Sequence, residues 1–212
     1  MRVGPGEPQV EHWKVVQLGE LIERILGASS PGNQGPRVIA VDGRSGGGKS
    51  TLASQLHRNL AHSTVIHTDD VAWHHSYFGW SELLIEGVLR PVGAQQPVNY
   101  RPPAWESRGR QGAIVVEAGC EVLIIEGVGA SRREVWPWVT ASIWIQSDMD
   151  EAERRGIARD GGTEEARRFW MDWMREENEF LAQQEPWSRA TAIVNGTPDL
   201  AYDAEHEVVV AV

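Results

Sequence analysis

Apolar and polar positions change rhythm repeatedly along the chain, and each rhythm predicts an element. Between Trp13 and Leu26, Val15, Leu18, Ile22 and Ile25 fall at helical spacing, which predicts a helix on the outside of a sheet. Met1 to Glu11, with two prolines and two glycines, reads as a loose tail, and Ala28 to Pro36 as a turn-rich linker. Val38 to Val41 is an unbroken apolar run, followed later by Leu52, Leu56 and Leu60, four apart: a strand, then a helix ending near His62. Thr64 to His67 predicts a second short strand, and Ser81 to Leu89 a short helix stopped by Arg90-Pro91. Gly93 to Gly112 is too long for an ordinary connection and reads as an insertion, with Ala113 to Glu117 alternating towards a strand. Val122 to Ile125 has the continuous apolar pattern of a buried parallel strand and ends in an acid, Glu126. Ser131-Arg132-Arg133-Glu134 fits a capping box that opens a short helix before Pro137. Ala141 to Gln146 is another strand, and Asp148 and Glu151 mark a helix closed by Asp160-Gly161-Gly162. Thr163 to Glu185 is a long helix whose stripe of Trp170, Trp173, Met174, Glu177 and Leu181 reads as core. Ala190 to Val194 makes a fifth strand, with Glu207 to Val212 as an added edge. Strands alternating with helices predict an α/β fold: a mainly parallel five-stranded sheet between two helical layers.

One stretch carries explicit chemistry. Gly43-Arg44-Ser45-Gly46-Gly47-Gly48-Lys49-Ser50 has the spacing glycine, four residues, Gly-Lys-Ser, and it sits between a strand and a helix. Glycines let the backbone turn its N–H groups onto one phosphate, and the following helix adds the positive end of its dipole. Gly43, Ser45, Gly46, Gly47, Gly48, Lys49, Ser50 and Thr51 are therefore the expected triphosphate-binding residues. Lys49 would reach the β- and γ-phosphates and the Ser50 hydroxyl would bind Mg²⁺. Asp69 and Asp70 follow the second strand, where an open parallel sheet collects its ligands. One of them could take a proton or bind Mg²⁺; the alternative is helix capping. Trp73, His74, His75, Tyr77, Phe78 and Trp80 form an aromatic cluster, read as a substrate-facing wall or as an apolar cluster under a loop. Arg154, Arg155 and Arg159 could close over a triphosphate, or could be a solvated helix face paired with Glu151 and Glu153.

Composition narrows the classes. A chain of 212 residues suits one domain with a small insertion: a tail and helix over 1–36, then 37–212 with an acceptor-covering insertion at 71–112. The formal charge of −10 excludes wholesale binding of nucleic acid backbone. A lone Cys120 gives neither a disulfide framework nor a thiolate metal site. No stretch reaches membrane-spanning length, so a cytoplasmic protein is expected. Self-association into a homo-oligomer stays open.

Taken in order, Val41-Asp42-Gly43 to Thr51, Thr68-Asp69-Asp70, Ile124-Ile125-Glu126-Gly127 and Arg155 to Gly161 resemble the uridine kinase-like branch of the P-loop nucleoside and nucleotide kinases. The likeness is greatest to the short actinobacterial proteins labelled uridine kinase or ATP-binding protein, and covers roughly residues 37 to 197. The resemblance implies a P-loop NTPase fold, three-layer α/β/α with a small cap, that transfers the γ-phosphate of ATP·Mg²⁺ to a hydroxyl of a small molecule. A nucleoside is the leading acceptor; an antibiotic, sugar or vitamin is the alternative. A non-catalytic ATP-binding switch is the rival from another class. By resemblance, the general base falls on Asp69, with Asp70 as the alternative, and the strand-end acid on Glu126. The lid arginines fall on Arg155 and Arg159. Asp69, Lys49, Arg155 and Arg159 are then catalytic, Ser50, Asp69 and Glu126 bind metal, and Asp69, Asp70, Trp73, Tyr77 and Glu126 meet the acceptor. The sequence departs from the family where Gly156 stands in place of a frequent further arginine, and where Val71-Ala72-Trp73 replaces a Phe-Tyr pair.

Overall fold

The computed structural model describes residues 1–28 and 35–212; positions 29–34 of the expected linker lie outside the described residues. Strand β2 (Arg37–Gly43) lies in the middle of the central sheet, flanked by β6 (Val122–Glu126) and β7 (Ala141–Gln146). β3 (Ser63–His67) lies beyond β6, and β8 (Ala192–Asn195) beyond β7. These five strands are mutually parallel, as expected. The sheet goes further, however: β9 (Glu207–Ala211) adds antiparallel to β8, and β1 (Trp13–Gln17) antiparallel to β9, giving seven strands.

Burial on both faces explains the apolar runs. Ile39 and Val41 of β2, with Ile124, Ile143 and Ile145, pack under α1 (Leu18–Gly27) and α2 (Lys49–Asn59). Their neighbours Val38, Ala40, Leu123 and Ile125 face the other way, onto Trp80, Leu84, Val88 and Trp105. Alternate residues of one strand thus feed two separate cores, which is why the runs are apolar without a break.

Three expectations need correction. The predicted helix over 13–26 is a strand followed by a helix: Val15 and Val16 pair with Val209 and Val208, and only Leu18 onwards is helical. β9 presents an open edge, and pairing two valines onto it outweighs a periodicity that both readings share. The capping box expected at 131–134 does not open a helix that Pro137 stops: the Ser131 hydroxyl and N–H are both taken by Asp42, and the helical turn that follows is a 3-10 helix (Trp136–Trp138) containing Pro137. Arg90-Pro91 does not end the helical run. After α4 (Ser81–Leu84), a π-helical turn (Ile85–Leu89) runs without a break into α5 (Arg90–Gly93), and this wide turn stands just before Pro91, whose ring and missing N–H a regular α-helix interior would not accept. The strand expected at 113–117 forms as β5 (Ile114–Val116) and pairs with β4 (Val98–Tyr100) in a two-stranded sheet of its own, with the short helix α6 (Pro103–Ser107) between them in the chain.

The N-terminal segment is not loose. Glu7 is buried and accepts hydrogen bonds from the Trp144 indole (3.0 Å) and the Gln146 amide (3.3 Å). Arg2 bonds through its backbone to Asp148 and Met149.

Candidate functional site

The phosphate loop leaves the carboxyl end of β2 and enters α2. Gly46 (φ 72°) and Gly48 (φ 97°) adopt left-handed backbone, and a Cβ on Gly46 would lie 2.1 Å from the Ala152 carbonyl oxygen, so a side chain there is excluded twice. The Gly47 N–H donates to the Arg44 carbonyl (3.0 Å), and the Ser147 hydroxyl donates to the Gly47 carbonyl (2.8 Å). Lys49 is buried, its ammonium donating to the Arg44 carbonyl (2.9 Å). Asp42, fully buried just before the loop, accepts from the N–H groups of Gly43 (2.8 Å), Gly129 (2.9 Å) and Ser131 (2.9 Å), and from the Ser131 hydroxyl (2.7 Å). Burial pushes its carboxyl above the usual range against the pull of these donors. Asp42 ties the loop after β6 to the phosphate loop; its place within an apolar run was the signal that sequence reasoning passed over.

Two cavities meet at this loop. The first, of about 540 Å³, is lined by the loop residues 45–51, by Asp69, Trp73, Tyr77 and Glu126, and by Arg155, Arg159, Trp170 and Trp173 among others. The second, of about 350 Å³, lies across the loop between Ile145, Arg155, Asn195, Gly196 and Tyr202. Gly46, Gly48, Thr51 and Arg155 line both. The structure thus brings together most of the predicted site.

Asp69, in the short helix α3 (Thr68–Ala72), is exposed to the first cavity and accepts no hydrogen bond from the described residues. Asp70 faces elsewhere: it pairs with Arg110, and its carbonyl accepts from the Trp105 indole (2.8 Å), so it does not line the cavity and is corrected from a substrate residue to a brace. Glu126 is buried, 2.6 Å from Nδ1 of His67. Burial alone would push its carboxyl up, but the His67 hydrogen bond, the Lys49 charge and the Ser50 hydroxyl hold it below the usual range. The same hydrogen bond raises His67, against its partial burial. His67 was not foreseen; its place at the end of β3, level with Glu126 in the register, was the available signal. Ser50, Asp69 and Glu126 offer hard oxygen donors to one cavity, the set that Mg²⁺ prefers.

Helix α7 (Met149–Arg159) places the arginines. Arg155 pairs with Glu151 and donates to the Gly196 carbonyl (2.9 Å), bridging the rim between the cavities. Arg159 pairs with Asp160 and also feels the charge of Asp69. Arg154 is a solvated partner of Glu151 and lines neither cavity. Gly156 has a physical reason: a Cβ there would lie 2.0 Å from the Trp170 ring, so Trp170 fills the space of a larger side chain.

The aromatic wall differs from the expected cap. Ala72, Trp73, His74, Ser76, Tyr77 and Trp80 line the first cavity, but none of residues 81–112 does. That segment packs instead on the core face formed by Leu123 and Ile125. Among its contacts with the site's surroundings, Leu84 and Val88 pack in one cluster with Trp80, and Arg110 is wedged between the rings of Trp73 (5.1 Å) and Trp105 (3.6 Å). The rest of the wall comes from helix α8 (Glu164–Gln184), whose Trp170 and Trp173 pack in the core as expected and also line the cavity. Trp173 meets Tyr77 edge-on, with ring centres 5.0 Å apart.

No sequence-family model and no curated protein matches the chain. Solved structures do. One is a possible uridine kinase from Bacillus stearothermophilus, 24% identical over 82% of this chain and 98% of that one, with a TM-score of 0.54. A second is a candidate kinase of a fructose transport system from Silicibacter sp. TM1040, 20% identical over 82% and 95%, with a TM-score of 0.53. A third, the YGR205w protein, is 12% identical over 92% and 96%, with a TM-score of 0.54. At these identities the likeness concerns the fold: the P-loop NTPase fold, which this chain has in common with those structures. No helix among the described residues is long and apolar enough to cross a membrane.

Proposed function

We propose that the protein is an ATP-dependent small-molecule kinase that phosphorylates a hydroxyl group. The observation that carries this reading is the phosphate loop standing between two cavities, with the unbonded carboxylate of Asp69 in only one of them. The second cavity suits the nucleoside end of the donor, bridged by Arg155, and the first suits the acceptor. Asp69 takes the proton of the attacking hydroxyl, which a carboxylate in reach can do. Lys49 moves from the Arg44 carbonyl to the phosphates, and Arg159 offsets charge on the transferring group. Ser50 and Glu126 would hold Mg²⁺, which would supply positive charge against the β- and γ-phosphates and leave Asp69 free to act as base.

The aromatic wall of Trp73, Tyr77, Trp170 and Trp173 favours an acceptor with a planar ring. A nucleoside is the leading candidate, in keeping with the possible uridine kinase among the similar structures. ADP release across a panel of nucleosides, ring-bearing vitamins, sugars and antibiotics tests this, with Asp69→Asn as the control. That variant should lose about 10²- to 10⁴-fold in turnover on the active acceptor, with ATP affinity nearly intact. Undiminished turnover would remove Asp69 as the base. ATP binding with no acceptor-dependent ADP release anywhere in the panel would favour a nucleotide-dependent switch.

A further inference from the structure

Glu177 is fully buried, yet it lies against a loop built to receive phosphate. That placement is opposed twice, by the loss of solvation and by repulsion from a bound triphosphate. Its contacts show what the carboxylate achieves there. The Ser45 N–H donates to its two oxygens (3.1 and 3.4 Å), and the Trp173 indole N–H donates to one of them (2.7 Å). The same indole N–H lies 2.7 Å from the Ser45 hydroxyl oxygen and donates to it as well. Arg44, held by Glu7 and by the Asn178 side chain (2.6 Å), stands 3.7 Å from Glu177 and balances its charge. One carboxylate therefore orients both a residue of the phosphate loop and the indole that walls the first cavity.

The hydroxyl of Ser45 gains a direction from this. With the indole N–H on its oxygen, its own proton turns elsewhere, and it donates to none of the described residues. Ser45 lines the first cavity and not the second, so it lies at the end of the loop where the outermost phosphoryl group meets the acceptor. We propose that Glu177 is a positioning residue that fixes the Ser45 hydroxyl as a donor to the γ-phosphate and locks Trp173 beside it, making the protein discriminate triphosphate from diphosphate. The inference rests on the kinase reading for the presence of a nucleotide, but its test needs no acceptor.

Calorimetric titration with ADP·Mg²⁺ and with a non-hydrolysable β,γ-imido analogue of ATP·Mg²⁺ provides that test. Ser45→Ala and Glu177→Ala should each weaken the triphosphate analogue about tenfold while ADP changes less than about twofold, the effect of losing one hydrogen bond to a charged group. Glu177→Gln, whose amide oxygen still accepts from both N–H groups, should stay within about threefold of wild type for both nucleotides. Trp173→Phe keeps the ring but frees the Ser45 oxygen, so it too should erode the preference for triphosphate. A purely structural Glu177 would give equal losses for the two nucleotides, or a lowered melting temperature with the preference intact; either result overturns the assignment. If Glu177→Ala does not fold, Ser45→Ala and Trp173→Phe decide by the same ratio. If the wild-type protein binds neither nucleotide, the kinase reading itself fails, and this inference with it.

Discussion

At the scale of single residues, the His67–Glu126 pair joins the ends of two strands across the site. Its two shifts oppose each other along the pH scale. Glu126, lowered, contributes stability present above about 4.3, the ordinary glutamate value, and lost as pH falls through its depressed folded value. His67, raised, contributes stability present below about 6.5 and lost as pH rises through its elevated folded value. The pair is therefore complete only between those limits. His67 is half-exposed, so the effect is about 1 kcal/mol or less. The melting temperature of His67→Ala should fall below that of wild type most between about pH 5 and 6.5, and the difference should shrink as pH rises through the elevated value of His67. A difference that is the same at pH 6 and pH 8 would mean that the imidazole acts by packing alone. Also at this scale, Lys49, Ser50, Asp69 and Glu126 were legible because their spacing to glycines and strand ends is local. Asp70 stands next to Asp69 in the chain, and only its partner Arg110, forty positions away, shows that it turns elsewhere.

At the scale of elements, the N-terminal segment has the most unexpected role. Read from composition, Met1 to Glu11 is a tail; in the fold, Glu7 reaches Arg44 inside the phosphate loop, and both side chains are nearly inaccessible. Removing one partner of a buried pair leaves an uncompensated charge, so Glu7→Ala should cost about 3–5 kcal/mol in urea unfolding. A loss below about 1 kcal/mol would show that Glu177 and Asn178 suffice to hold Arg44. The segment was illegible because prolines and glycines signal the absence of regular structure, and not the absence of contacts. In helix α8 the core reading holds and is incomplete. Its stripe of Trp170, Trp173 and Glu177 has the period of a core face, but part of that face covers a cavity instead of a sheet. Periodicity reports which side is shielded from bulk solvent, and the wall of a ligand site is shielded too.

At the scale of the whole molecule, the sheet carries the site by setting the ends of β2, β3 and β6 side by side. A ligand that binds only the folded arrangement stabilises it by mass action. ATP·Mg²⁺ at one hundred times its dissociation constant should add about 2.7 kcal/mol, which for a domain of this size is a rise of about 5–10 °C in melting temperature. Lys49→Ala should abolish most of that rise in a thermal-shift titration; an undiminished rise would place the triphosphate elsewhere.

The sequence alone determined the phosphate loop, the five parallel strands and the acids at their ends. Each depends on local spacing: glycines that permit a turn, and unbroken apolar runs that only a strand buried on both faces accepts. The tertiary structure decided what local spacing does not encode. It made Trp13–Gln17 a strand by offering the free edge of β9. It kept residues 81–112 out of the cavity by giving their apolar side chains the core face of β6 to cover. It brought Glu7 and Glu177 to the loop because both carry a charge that Arg44, buried beside them, has to balance.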